Sequence, residues 1–228
     1  SVLNVKRLLI ARQADLIAQA AAGQATPVED GDCVVVTQKV VSKAEGRVVD
    51  LDPDDPEARL RLVESESVRI VRRRGELVIS ETRHGFICAN AGIDLSNLEV
   101  GRAALLPVDA DRSAHRVRSA LRAEHGVEVA VVVTDTFGRA WRNGLVDVAI
   151  GVSGVAAVLD LRGQLDATGR PLTVTEIAIA DEIASAAELV MGKARGVPAA
   201  LVRGLHPAMF RESSVKELVR PPGEDLFR

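Results

Sequence analysis

Residues 131–154 read VVVTDTFGRAWRNGLVDVAIGVSG, and the organisation of the chain follows outward from them. The apolar run 129–133 has the composition of a buried strand. It is expected to stop at Thr134-Asp135-Thr136, so that a carboxylate and two hydroxyls stand where the strand leaves the core. Gly138, Arg139, Trp141, Arg142, Asn143 and Gly144 come next. Oxygen ligands, cations and pliable backbone therefore lie beside one rigid element, a combination suited to phosphate and a metal ion. The same residues read equally as a capping Asp ahead of a solvated arginine loop.

Downstream, residues 155–161 are strand-like. Thr173 and Glu176 have the spacing of a capping box for a helix running to about Met191, with Gly192 or Gly196 as its stop. Residues 199–202 form a last apolar strand, and Pro221-Pro222-Gly223 leads into an extended tail. Upstream, residues 111–125 make an amphipathic helix with Ala114, Val117, Ala120 and Leu121 on one face. Residues 86–88 are a short apolar piece before two small turns that end at Asp94 and Asn97, and 105–107 read as a strand end. Residues 68–79 read as two strands around Gly75. They carry Arg69, Arg72, Arg73 and Arg74, a run that favours a solvated face over a phosphate patch. Asp55-Pro56 opens a helix to about Glu64. Residues 33–36 and 48–49 are strands, and 11–22 an alanine-rich helix. Without a regular strand–helix alternation, the expected class is α+β with mixed or antiparallel sheets and packed helices, not a doubly wound sheet.

The length of 228 residues allows one large domain or two small ones with a real core. Four Phe, one Trp and no Tyr leave that core to Val, Leu, Ile and Ala. A net charge of −3 and the scarcity of stacking residues argue against a nucleic-acid binder. Cys33 and Cys88 sit in or beside apolar runs and read as buried free thiols, which points to a cytoplasmic location. No run reaches membrane-spanning length.

Several standard sites are absent. There is no phosphate-binding G-x-x-x-x-G-K-[ST] loop, since Gly192-Lys193 lacks both the earlier Gly and the following hydroxyl. There is no dinucleotide fingerprint, C-x-x-C or H-E-x-x-H, and Gly151-Val152-Ser153-Gly154 misses a nucleophile elbow by one position. What remains is a set of oxygen ligands and cations at strand ends: Thr37, Lys43, Asp94, Asn97, Asp135, Thr136, Arg139 and Arg142. Hard oxygens suit Mg²⁺ or Mn²⁺ rather than zinc. A lysine would serve as a point charge on phosphate. Taken singly, each of these residues also reads as a cap, a turn or a surface charge.

Four blocks narrow the choice: TQKVVSKAEGR (37–47), NAGIDLSN (90–97), TDTFGRAWRNG (134–144) and ELVMGKARGVP (188–198). In this order they resemble the GTP-dependent ligases that add L-glutamate to coenzyme F420-0, a deazaflavin carrier. The same module forms the N-terminal part of a longer bifunctional protein with a nitroreductase-like domain. The resemblance implies two intertwined α+β subdomains, a homodimer, and GTP held in a groove near its interface. It implies a single ligase domain over residues 1–228, with no nitroreductase-like domain after Arg228. It implies metal ligation by Asp94, Asp135 and Thr136, with Mg²⁺ or Mn²⁺ at two sites and K⁺ as a further candidate ion. GTP contacts fall on Leu8, Leu9, Ile10, Thr37, Gln38, Lys43, Asn97, Met191 and Gly192. Asp135, Lys43 and Arg142 carry the catalytic expectation. The implied partners are coenzyme F420-0, L-glutamate and GTP, with neither nucleic acid nor membrane. Gln38 departs from the pattern, standing where a hydroxyl residue is usual.

Overall fold

A computed structural model describes residues 14–23, 26–55, 57–96 and 98–226. Helix α1 (14–23) comes first, then β1 (Cys33–Thr37), α2 (Gln38–Ala44), β2 (Val48–Asp50) and α3 (Ala58–Glu66). They are followed by β3 (Ser67–Arg74), β4 (Leu77–Thr82), β5 (Ile87–Ala89), β6 (Arg102–Ala104) and α4 (Ala110–His125). The last elements are β7 (Ala130–Arg139), β8 (Arg142–Ser153), β9 (Leu159–Asp160), β10 (Glu176–Ile177), α5 (Ile179–Met191) and β11 (Ala199–Val202). The class is α+β, with several small and mostly antiparallel sheets.

The main sheet has the order β11-β1-β7-β8. β1 and β7 pair in parallel, from Cys33 opposite Ala130 to Thr37 opposite Thr134, while the outer pairs are antiparallel. Both central strands are nearly continuous valine because both of their faces are covered. Val35 and Val132 pack with Ile183 and Ala187 of α5 on one side. Val34, Val131 and Val133 pack with Val117 and Leu121 of α4 and Ala14 of α1 on the other. A smaller core of Val63, Val78, Ile93, Ala103 and Leu105 joins α3 to the β3–β4–β5 and β2–β6 sheets. Arg72, Arg73 and Arg74 are exposed on β3, the solvated face expected of that run.

The ends of α4 and α5 are fixed by carboxylates and glycine. Asp109 caps α4 by accepting the Arg112 N–H at 2.9 Å, and Gly126 ends it in the left-handed region. Gly192, with φ 62°, follows α5 as the sequence indicated. Asp55 accepts the Glu57 and Ala58 amides at 2.9 and 3.1 Å, so it caps the turn into α3.

Four expectations need correction. β7 does not stop at Thr134 but continues through Asp135 and Phe137 to Arg139, forming a long hairpin with β8. Thr134, Thr136 and Phe137 are good strand residues. The polar side chains among them find acceptors across the ladder, so leaving the core does not end the strand. Glu176 belongs to β10, paired with β9, and Arg162 reaches its carboxylate at 3.3 Å. Helix α5 therefore begins later, at Ile179, behind Ala178, which contributes no side-chain cap. Residues 155–157 are buried without pairing as a strand. Their backbone is satisfied instead by Ser213 and Met209: the Ala157 N–H donates to Ser213 Oγ at 3.0 Å and the Ala156 N–H to the Met209 carbonyl at 2.7 Å. The tail also differs from the extended reading, with a 3₁₀ turn at Pro222–Glu224.

β8 lies so close to the start of α4 that a Cβ on Gly151 would sit 2.3 Å from the carbonyl carbon of Ala110. The obstacle is backbone, which cannot rotate away. Gly151→Ala is therefore expected to cost about 3 kcal/mol or more, at the upper end of overpacking penalties. Denaturant unfolding of the variant against the parent checks this.

Candidate functional site

β1 and β7, being parallel and in register, deliver Thr37 and Thr134 side by side at one end of the sheet. There β1 turns directly into α2, while β7 runs on to Asp135 and Thr136. The loop from α5 to β11 closes the third side with Gly192, Lys193 and Pro198, and the Thr37 N–H donates to the Pro198 carbonyl at 2.9 Å. The result is a cleft of about 880 Å³, open to solvent, lined also by Lys39, Lys43, Asp94, Asp147 and Glu188.

The cleft sets carboxylates against ammonium groups. Lys39 Nζ lies 2.8 Å from Asp94 Oδ2 and donates to Ser96 Oγ at 2.8 Å, and the Ser96 N–H donates to Asp94 Oδ1 at 2.7 Å. Burial alone would raise the Asp94 carboxyl, but Lys39 and Ser96 hold it below its ordinary value. On the α5 face, Asp147 is almost fully buried and accepts from both neighbouring threonines. Thr134 Oγ1 donates at 3.0 Å and Thr136 Oγ1 at 2.6 Å. Lys193 Nζ in turn donates to Thr136 Oγ1 at 2.8 Å.

Asp135 follows Thr134 and so projects from the opposite face of β7. Burial pushes its carboxyl up to about 7, against the pull of the Thr136 amide and Lys193, and the charges of Asp94 and Asp147 add to the rise. Glu188 is likewise raised, by burial and by Asp147. Both thiols are inert: burial drives Cys33 and Cys88 up to about 12, leaving neither as a thiolate near neutrality.

The structure gathers Thr37, Lys43, Asp94, Asp135, Thr136 and Gly192 around one cleft. Gln38 also lines it, but its side chain is buried, and Nε2 donates to Ser42 Oγ at 2.7 Å and to the Leu105 carbonyl at 2.9 Å. Gln38 thus ties α2 to the smaller core and can offer the cleft its backbone. The Met191 side chain is in the core, so only its backbone could serve a ligand. Arg142 is exposed at the first position of β8, by the hairpin turn, and is not among the residues lining the cleft; Arg139 is exposed beside it. Leu8, Leu9, Ile10 and Asn97 lie outside the described residues.

Sequence reasoning missed Lys39, Asp147, Glu188 and Lys193. Asp147 had a readable signal, an acid inside the alternating run Val146-Asp147-Val148. Its partner Thr136 could be identified only once the hairpin register was known.

Asp94 and Asp135 offer hard oxygens, and Thr136 adds a hydroxyl. The ammonium groups already beside Asp94 and Thr136 mark both positions as favourable to a cation. This donor set fits a magnesium-type ion. Such an ion takes one or two carboxylates and completes its shell with substrate oxygens and water. Asp94, Asp135 and Asp147 do not converge as a three-carboxylate cluster. Among the described residues three such donors converge at Asp15, Glu124 and His125, two carboxylates and an imidazole on α1 and α4, away from the cleft.

The cleft thus sets four carboxylates and threonine hydroxyls against three lysines at the ends of parallel strands, a polar site of the kind found in enzymes. The chain belongs to the F420-0:Gamma-glutamyl ligase family, whose model matches residues 8–204. It is 44% identical over 215 residues to the coenzyme F420:L-glutamate ligase of Methanothermobacter thermautotrophicus, covering 87% of this chain and 85% of that one. It is 43% identical over 233 residues to the enzyme of the same name from Methanopyrus kandleri, covering 94% and 90%. With the Methanocaldococcus jannaschii ligase it shares 39% over 218 residues, covering 89% and 86%. No helix among the described residues is long and apolar enough to cross a membrane.

The raised Asp135 carboxyl has a measurable consequence. Because its folded value, about 7, lies above the ordinary 3.8, the folded protein holds this proton more tightly than the unfolded chain does. Its contribution is therefore fully favourable below about 4 and is lost as pH rises towards 7. Asp135→Asn cannot ionise and should escape that loss. Its melting temperature should match the parent near pH 4 and exceed it at pH 8 in metal-free buffer. A parallel pair of melting curves across that range would show the Asp135 carboxyl to be unperturbed.

Proposed function

We propose that this chain is a GTP-dependent ligase that joins L-glutamate to coenzyme F420-0, and that it works as a homodimer. The observation that carries the reading is the juxtaposition of Asp94, Asp135 and Thr136 with Lys39, Lys43 and Lys193 around one cleft. Membership of the ligase family and the names of the relatives support the acceptor and the amino acid.

A carboxylate and an amine do not condense unaided in water. In the reaction proposed, a carboxylate oxygen of the acceptor attacks the γ-phosphorus of GTP. An O–P bond forms, the bridging O–P bond to the β-phosphate breaks, and GDP leaves with the bonding pair. The free α-amine of glutamate then attacks the acyl carbon. A C–N bond forms, the C–O bond to phosphate breaks, inorganic phosphate departs and the nitrogen loses a proton to solvent.

The protein's contribution is placement and charge. Lys43 and Lys39 neutralise phosphate oxygens, and Lys193 offsets charge on the Thr136 side of the cleft. Asp147 fixes the rotamers of Thr134 and Thr136, so their free lone pairs face the substrate. Asp94, Asp135 and Thr136 would hold Mg²⁺ or Mn²⁺, which when bound supplies Lewis-acid stabilisation of the transferring phosphoryl group. No side chain need become covalently bound. The exposed Trp141 and Leu145 on the hairpin give the proposed partner protomer apolar surface to contact. An active monomer in light scattering at assay concentration would remove the dimer from the reading.

Incubation with GTP, glutamate and coenzyme F420-0, followed by mass spectrometry, is expected to give an acceptor heavier by one glutamyl unit, with GDP and phosphate in equal amounts. No mass gain in the presence of Mg²⁺ or Mn²⁺ would overturn the proposal. Within it, Lys43 is exposed on α2 and lines the cleft. Lys43→Ala should change stability by no more than about 0.5 kcal/mol. Turnover should nevertheless fall roughly 10- to 100-fold, as for a contact stronger in the transition state. Lys43→Arg should recover little of it, because a planar fork replaces a point charge. Parental kinetics in both variants would move the phosphates away from α2.

A further inference from the structure

A second cavity, of about 680 Å³ and open to solvent, lies beside the inner half of the β7–β8 hairpin. Phe137 and Val148 of the hairpin and Phe86, just before β5, line it together with Val219 and Arg220 of the C-terminal segment. Phe86 and Phe137 meet edge to face with centroids 6.0 Å apart, and His84 stacks on Phe86 at 5.6 Å. The whole chain has only four Phe, one Trp and no Tyr. Two of these five aromatics thus line one solvent-open cavity, at the edge of the α4-side core against which they also pack.

The cavity and the cleft have no lining residue in common but lie next to each other along β7. Phe137 is two residues further along the same strand, so it shares a strand face with Asp135 at a separation of roughly 7 Å. Val148 is the direct cross-strand partner of Asp135. The cavity wall thus begins where the carboxylate-bearing part of the cleft ends. Mostly apolar and aromatic walls, to which Arg220, Asp181 and Asp225 add polar groups, suit a planar ring that has two apolar faces and a polar edge. Triphosphate chemistry belongs among the lysines of the neighbouring cleft.

We propose that the Phe86–Phe137 cavity receives the planar deazaflavin ring of the acceptor, with Arg220 at its polar edge, while the acceptor's carboxylate end reaches past Asp135 into the cleft. This placement rests on the ligase reading above. Ring recognition is then separate from the nucleotide, and the two affinities can be altered independently.

The test uses the full chain and the acceptor's own fluorescence. Coenzyme F420-0 is titrated by fluorescence anisotropy, GTP by calorimetry, and melting temperature is the control for folding. Phe137→Ala and Arg220→Ala are each expected to weaken acceptor binding at least 10-fold while GTP affinity stays within twofold of the parent. Should Phe137→Ala not fold, Val219→Trp, which fills the cavity from its other wall, is expected to give the same loss. Folded variants with parental acceptor affinity would overturn the ring site, as would a loss that falls on GTP, since the cavity would then be serving the guanine base. A parent protein that binds GTP but no deazaflavin would overturn the acceptor assignment itself, and the ring site with it. Parental binding left intact in the variants overturns the ring site alone.

Discussion

The parallel pairing of β1 with β7 is the constraint from which the rest of the structure follows. Five registered pairs, from Cys33–Ala130 to Thr37–Thr134, bring together segments almost a hundred residues apart in the chain. A parallel pair cannot be closed by a tight turn, so the intervening chain must cross over and return. In this chain the crossover contains α2, α3, α4 and the β2–β6 and β3–β4–β5 sheets. Both strands are buried on both faces, which requires helices on each side and explains the demand for α4 and α5. Because the register is fixed by packing, a slip of one residue would turn Asp135 and Thr136 to the wrong faces of the sheet. The cleft is consequently as well defined as the core beneath it.

The cleft is the place where the protein gives up stability. Three carboxylates and a glutamate stand near one another, and Asp135 is pushed up to about 7 mainly by being buried. Lys39 and Lys193 offset part of that repulsion, one by pairing with Asp94 and the other by bonding Thr136. A purely structural design would replace Asp135 with an apolar residue, as β7 does at Val131 and Val133 on the same face. Keeping a carboxylate there leaves an acid whose ionisation is disfavoured by burial and by the neighbouring Asp94 and Asp147. Asp32, almost fully buried at the opposite end of β1, is treated differently. Asp32 is fully engaged by Arg203, with contacts of 2.7 and 2.8 Å, and is held below its ordinary value despite burial. One end of β1 is therefore closed by an ion pair, and the other opens into the cleft.

Most of the sheet strands were legible because their signal is local. The valine runs of β1 and β7, the apolar β11, the amphipathic face of α4 and the glycine after α5 all say what they are within ten residues. The hairpin was not legible. Thr134-Asp135-Thr136 is polar, and polarity alone looks like an exit from the core. What keeps it in the sheet is Asp147, thirteen residues beyond Thr134, accepting from both hydroxyls. The false capping box at Thr173 and Glu176 failed for a related reason. The spacing was correct, but Glu176 is claimed by the β9–β10 pair and by Arg162. Lying inside a legible block was not enough, since Lys39, Glu188 and Lys193 do so and, like Asp147, are marked as cleft residues only by tertiary contact.

The hairpin also shows how an edge strand can be both anchored and available. β8 is the outer strand of the main sheet, so its unpaired amides would invite another strand. Two of them are covered by carboxylates from opposite helices. Asp111 of α4 accepts the Val152 N–H at 2.8 Å, and Asp181 of α5 accepts the Ala149 N–H at 2.9 Å. Asp111 also takes the Ser214 hydroxyl at 2.7 Å, binding the C-terminal segment to the same point. Between these two amides the ladder skips Ile150, and the bulge twists the strand as it leaves the core. The inner half of the hairpin is thereby fixed by both helices, and this is the half that carries Asp135, Thr136 and Asp147. The outer half carries Trp141 and Leu145, both exposed. Burial along β7 falls off from Asp135 outward, so this carboxylate stands at the border between the covered and the solvent-facing parts of the strand.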